Sequence, residues 1–153
     1  MTRISSAFGI VVVLVALVQL VTLGDCRIQP GIYKIRSAAH IYQVVEVEGE
    51  EIIGWKDEEK VSQLFEVLPI ADDIYVFQNL ESQLYISRMG HRLIASPQPY
   101  RFLVIMESQD LFRIEAVEDR MAWILPSGQN GASIKLARFT GKGTQLFNFL
   151  RSG

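Results

Sequence analysis

The chain has one cysteine, Cys26, in 153 residues. No intramolecular disulfide and no CxxC metal pair can form. Histidine is almost as scarce. His40 and His91 are the only two, and two imidazoles cannot build a zinc site without carboxylate help. Positive charge is not in excess either: 15 Lys and Arg face 17 Asp and Glu, a formal net charge of −2. With no basic stripe there is no electrostatic case for nucleic acid. No G-x-S-x-G elbow occurs. The stretch 140–144 (TGKGT) lacks both the P-loop spacing and a following helix. Ser37 and His40 are close in sequence, but Ser–His catalysis needs a third orienting group and oxyanion donors. The acidic groups Asp72-Asp73 and Asp57-Glu58-Glu59 fall in turns, where solvation accounts for them. These absences argue against an enzyme, and no metal and no cofactor is expected.

What the chain does have begins with an apolar run. Residues 8–24 (FGIVVVLVALVQLVTLG) are apolar apart from Gln19 and Thr22, and Arg3 lies before them. A basic start followed by such a run reads as a secretory signal peptide. The run falls short of the roughly 20 residues of a full span. Gly24, followed by Asp25, offers a cleavage point. The alternative is an uncleaved signal anchor, the only contact with a membrane that the sequence suggests. The expected organisation is a signal or anchor helix over 1–24, a short linker over 25–30 and one domain over 31–153. The protein is expected to be secreted, or else anchored through residues 8–24.

Helical periodicity is absent after residue 26. Short apolar or alternating runs separated by polar turns replace it, the pattern of an all-β domain. About twelve such runs can be read: 31–37, 42–48, 52–56, 62–70, 73–79, 83–87, 92–96, 100–107, 110–117, 121–126, 132–138 and 145–151. They divide into three groups of four. Each group opens on an aromatic–x–apolar step: Tyr33–Ile35, Tyr75–Phe77, Phe112–Ile114. Each closes on a triplet ending in Phe: Gln63-Leu64-Phe65, Tyr100-Arg101-Phe102, Gln145-Leu146-Phe147. Threefold repetition of four short strands is what a β-trefoil needs, with six strands in a barrel and three hairpins capping it. No repeat can bury its aromatics alone. A sandwich of sequential hairpins is the structural rival. The aromatics on strands are expected in the core, with Trp55 or Trp123 partly exposed because they occupy different positions in their repeats.

The Gln-Leu-Phe triplets resemble the Q-x-W motif of ricin-B-type β-trefoils, with Phe in place of Trp. The segments 95–102 (ASPQPYRF) and 122–149 (AWILPSG … QLFNF) are similar to the small fungal serine protease inhibitors of the same fold. The resemblance covers about residues 31–151. It implies a binding protein, most directly a reversible inhibitor that places one loop in a serine protease cleft. Its alternative is a carbohydrate-binding lectin module. A trypsin-like target asks for an exposed Lys or Arg on a turn. The candidates are Arg88 with its neighbour Met89, Lys60 and Lys142. In some relatives the working loop joins the second and third strands, but here 46–51 (EVEGEE) is acidic. A ricin-type sugar site asks for an Asp, an aromatic platform and a nearby amide. Residues 37–47 and 79–87 contain no Asp, whereas Asp119 precedes Trp123 in the third repeat.

Overall fold

The computed structural model describes residues 27–153. The apolar run, the cleavage point and Cys26 lie outside them. The described chain forms thirteen strands and two short 3-10 turns, and no α-helix occurs among the described residues. The first repeat contains β1 (Gly31–Ser37), β2 (Gln43–Glu48), β3 (Glu51–Lys56) and β4 (Phe65–Ala71). The second contains β5 (Ile74–Asn79), β6 (Tyr85–Met89), β7 (Arg92–Ser96) and β8 (Phe102–Ser108). The third contains β9 (Leu111–Ala116), β10 (Ala122–Ile124), β11 (Ala132–Ser133), β12 (Lys135–Ala137) and β13 (Phe147–Arg151).

Six strands close a ring. β1 pairs with β4, β4 with β5, β5 with β8, β8 with β9, β9 with β13, and β13 again with β1. The hairpins β2–β3, β6–β7 and β10–β12 sit on one end of that barrel. They join one another through β3–β7, β7–β12 and β3–β11. A closed barrel with a threefold cap is a β-trefoil. A sandwich, which keeps two open sheets, is excluded.

The repeat is exact in register. Tyr33 faces Phe65, Tyr75 faces Phe102, and Phe112 faces Phe147. Four residues further along each opening strand, Ser37, Asn79 and Ala116 face the same three phenylalanines from the other side. All six aromatics, with Ile35, Phe77 and Ile114, belong to one buried cluster. Trp123 is buried, whereas Trp55 is half-exposed.

Four of the runs differ from the sequence reading. The run 132–138 is two strands, because Ile134 donates its N–H to Ile52 and the chain passes there from β3 to β7 and β10. Residues 61–63 and 143–145 are 3-10 turns, not strand starts. Gln83 has φ 63° and belongs to the turn before β6. Gly54 answers a different demand. A Cβ there would stand 2.8 Å from both Leu125 methyls, so only glycine lets β3 and the residue after β10 approach so closely.

The end of the barrel opposite the hairpins receives the linker. Ile28 donates its N–H to Tyr75 Oη at 3.0 Å, Tyr33 donates its hydroxyl to the Gln29 carbonyl at 2.7 Å, and Ile28 packs on the core. Arg27 pairs with Asp72 at 3.0 Å.

Candidate functional site

In the first and third repeats a buried glutamine shapes the loop before the closing phenylalanine. Gln63 donates to the Lys56 carbonyl at 2.8 Å and accepts from the Glu58 N–H at 3.0 Å. Gln145 donates to the Arg138 carbonyl at 2.8 Å. It accepts from the Thr140 N–H at 2.8 Å and from the Thr140 hydroxyl at 3.1 Å. In each repeat the amide bridges residues seven and five positions upstream. The second repeat cannot repeat the arrangement. Its equivalent N–H belongs to Ala95, which already donates to the Glu50 carbonyl at 2.9 Å. Tyr100 stands there instead, its ring 4.8 Å from that of Phe102.

Lys60 and Lys142 occupy the same place in this frame, three residues before their glutamines and in extended conformation, with φ −82° and −73°. Their surroundings differ. The Lys60 ammonium lies 5.4 Å from the centre of the Trp55 ring and 3.8 Å from both Glu46 and Glu58. Lys142 is exposed and makes no ion pair among the described residues. Its carbonyl accepts from the Gln145 N–H at 3.0 Å, and the Thr144 carbonyl accepts from the Leu125 N–H at 2.9 Å. The loop is therefore held at both ends with the lysine side chain outside.

Arg88 is restrained. Its guanidinium donates to the Gly90 carbonyl at 3.0 and 2.8 Å and to Asp119 at 3.0 Å, and the side chain is only 14% exposed. The Arg88 hydrogen bond holds the Asp119 carboxyl below its ordinary value. Met89 beside it is exposed. The Lys60, Arg88–Met89 and Lys142 turns belong to three different repeats, and Lys60 and Met89 line separate clefts. Asp119 and Trp123 do not form a sugar platform, because the carboxylate is engaged by Arg88 and the indole is fully buried.

A cleft of about 1070 Å³ opens in the first repeat beside Trp55. Glu46 lines it, buried to 5% exposure, and accepts from the Ser62 hydroxyl at 3.1 Å. Glu48, Glu59 and Glu81 stand around it. Glu59 adopts φ 57°, a left-handed conformation that non-glycine residues adopt at a cost. Glu46 supplies the carboxylate in a stretch, 37–47, that has no Asp. In the alternation QVVEVE it reads as a solvent-facing strand residue, whereas β2 is buried on both faces through Val47.

No protein-family model and no curated protein sequence matches the chain. Solved structures do. The chain is similar to a ricin B-like lectin of Macrolepiota procera in complex with lactose, at 18% identity and TM-score 0.74, over 82% of this chain and 99% of that one. The Rhizoctonia solani agglutinin is similar at 15% identity and TM-score 0.75, over 84% and 100%. A proteinase inhibitor from Coprinopsis cinerea is similar at 16% identity and TM-score 0.67, over 82% and 100%. At such identities the likeness establishes the β-trefoil fold, and activity has to be argued from sites.

Proposed function

We propose that this chain is an exported binding protein without a catalytic step, acting as a reversible serine protease inhibitor through the loop that carries Lys142. The observation that carries the reading is that loop's geometry: an exposed lysine in extended backbone, held at both ends by Gln145 and Leu125. A loop already ordered loses little entropy when it enters a cleft. The ammonium would pair with a carboxylate at the base of a trypsin-like specificity pocket, where desolvation strengthens the attraction. Trypsin inhibition at micromolar chain is the expected result. Lys142→Ala is expected to raise the inhibition constant at least about tenfold, the loss of one anchoring side chain. Arg88→Ala should leave it essentially unchanged, since that guanidinium is turned back on Gly90 and Asp119. No inhibition of trypsin-, chymotrypsin- or subtilisin-like enzymes at that concentration would refute the reading.

The Trp55 cleft favours a second reading, a glycan-binding module. Trp55 offers an apolar ring face and Glu46 a buried acceptor for sugar hydroxyls, once Lys60 swings from above the indole. A glycan array is expected to show hits that Trp55→Ala removes, and an array without hits eliminates this reading.

A further inference from the structure

A second cleft, of about 470 Å³, lies beside the β1–β2 loop and is separate from both surfaces described above. Strand β1 turns Tyr33, Ile35 and Ser37 inward and leaves Lys34 and Arg36 on the outer face. Lys34 is satisfied by Asp57, at 3.1 Å. Arg36 is not. Its guanidinium makes no hydrogen bond or ion pair with any described residue, and its Nε is buried without a partner. A buried N–H on a permanent cation is costly to leave unmade, and such a group calls for an explanation.

The walls around Arg36 supply further donors. Lys56 and Asn130 line the same cleft. The Asn130 Oδ1 accepts from Gln43 Nε2 at 3.0 Å and from the Lys56 N–H at 2.8 Å, so its amide N–H groups remain for a ligand. Asp57 is the only carboxylate on the lining, and Lys34 already engages it. With Asp57 engaged by Lys34, Arg36 and Lys56 leave two positive charges at the cleft, on a molecule whose net charge is −2. That charge suits an anion, and the planar guanidinium fork matches a carboxylate. The lip of the cleft is Tyr42, 77% exposed, which presents its ring to solvent. The turn that carries it is pinned: the Tyr42 carbonyl accepts from the Asp57 N–H at 3.1 Å, and the His40 carbonyl accepts from the Gln43 N–H at 2.8 Å. An aromatic face beside polar donors is the arrangement that stacks a sugar ring, and the volume is in the range of small-ligand sites, about 300–1,000 Å³.

We propose that this cleft binds a sugar acid, its carboxylate on Arg36 and Lys56 and its ring against Tyr42. The proposal stands independently of the Lys142 and Trp55 readings, because it shares no residue with either. The test is an NMR titration of the full chain with glucuronic acid at low salt. Saturable shifts at Arg36, Tyr42, Lys56 and Asn130 are expected, weakened by added salt. Glucose at the same concentration should shift none of them. Arg36→Gln should lower the affinity at least about tenfold, as loss of a charge-assisted bidentate pair does, with the thermal midpoint not lowered, because the buried Nε that is removed has no partner. Lys56→Gln should weaken binding less. The proposal is overturned by any of four results: no shift at these residues, glucose binding as well as glucuronate, wild-type affinity in the Arg36 variant, or equal binding of N-acetylalanine or inorganic sulfate. The last would mark a peptide-carboxylate or general anion site.

Discussion

Trp123→Ala should lower the free energy of unfolding by about 3–5 kcal/mol, the usual range for removing a large buried aromatic. The indole is fully buried on β10 and touches aromatics from two repeats besides its immediate strand neighbours. Its ring centre lies 5.3 Å from Phe77, 5.2 Å from Phe102 and 5.9 Å from Phe147. Phe102 and Phe147 are the closing residues of the second and third repeats. The cavity therefore opens where barrel and cap meet, and its walls belong to strands that cannot collapse independently. Trp123→Phe should cost clearly less. It keeps most of the ring and deletes an indole N–H that has no hydrogen-bond partner. Equilibrium denaturant unfolding of the two variants checks the pair. An alanine cost near that of the phenylalanine variant would show that this part of the core is loosely packed.

Gln145→Leu ranks second, at about 1–3 kcal/mol, because it breaks two part-buried hydrogen bonds worth about 0.5–1.5 kcal/mol each. The Arg138 carbonyl and the Thr140 N–H both lose their bond to the side chain, and leucine offers nothing in return. Gln63→Leu is the control. It breaks the matching bonds to Lys56 and Glu58 in the first repeat and should destabilise comparably. The two variants part in function if the Lys142 loop engages a protease. Gln145→Leu frees that loop and should weaken trypsin inhibition beyond its effect on stability, whereas Gln63→Leu should not. Equal inhibition by the two folded variants would mean that the order of the loop is irrelevant to binding.

Much of the architecture was legible from spacing alone. The triplets ending in Phe65, Phe102 and Phe147 marked three equivalent core positions, and the pairing register places them opposite Tyr33, Tyr75 and Phe112. The second repeat closes on Tyr100-Arg101-Phe102 and has no glutamine where the other two do. The cause is tertiary: the Ala95 N–H, equivalent to those of Glu58 and Thr140, is already given to the Glu50 carbonyl. The sites were less legible. Lys60, Arg88 and Lys142 carry the same charge on similar turns, yet Lys60 is drawn onto Trp55 and Arg88 onto Asp119, while Lys142 stands clear. Arg36 reads in the sequence as one more polar residue of an alternating strand, and only the structure shows its Nε buried without a partner.

Strand period and the recurrence of closing aromatics were determined by the sequence itself, because alternation of faces is a local property with a period of two. With them came the all-β class, the threefold grouping and most of the core. Tertiary structure alone decided which charges are spent and which remain. Asp119 lies 31 residues from Arg88 and Asn130 lies 87 residues from Gln43, so their pairing depends on barrel closure and hairpin docking. Hydrogen bonds act over about 3 Å in space and carry no trace of that separation along the chain.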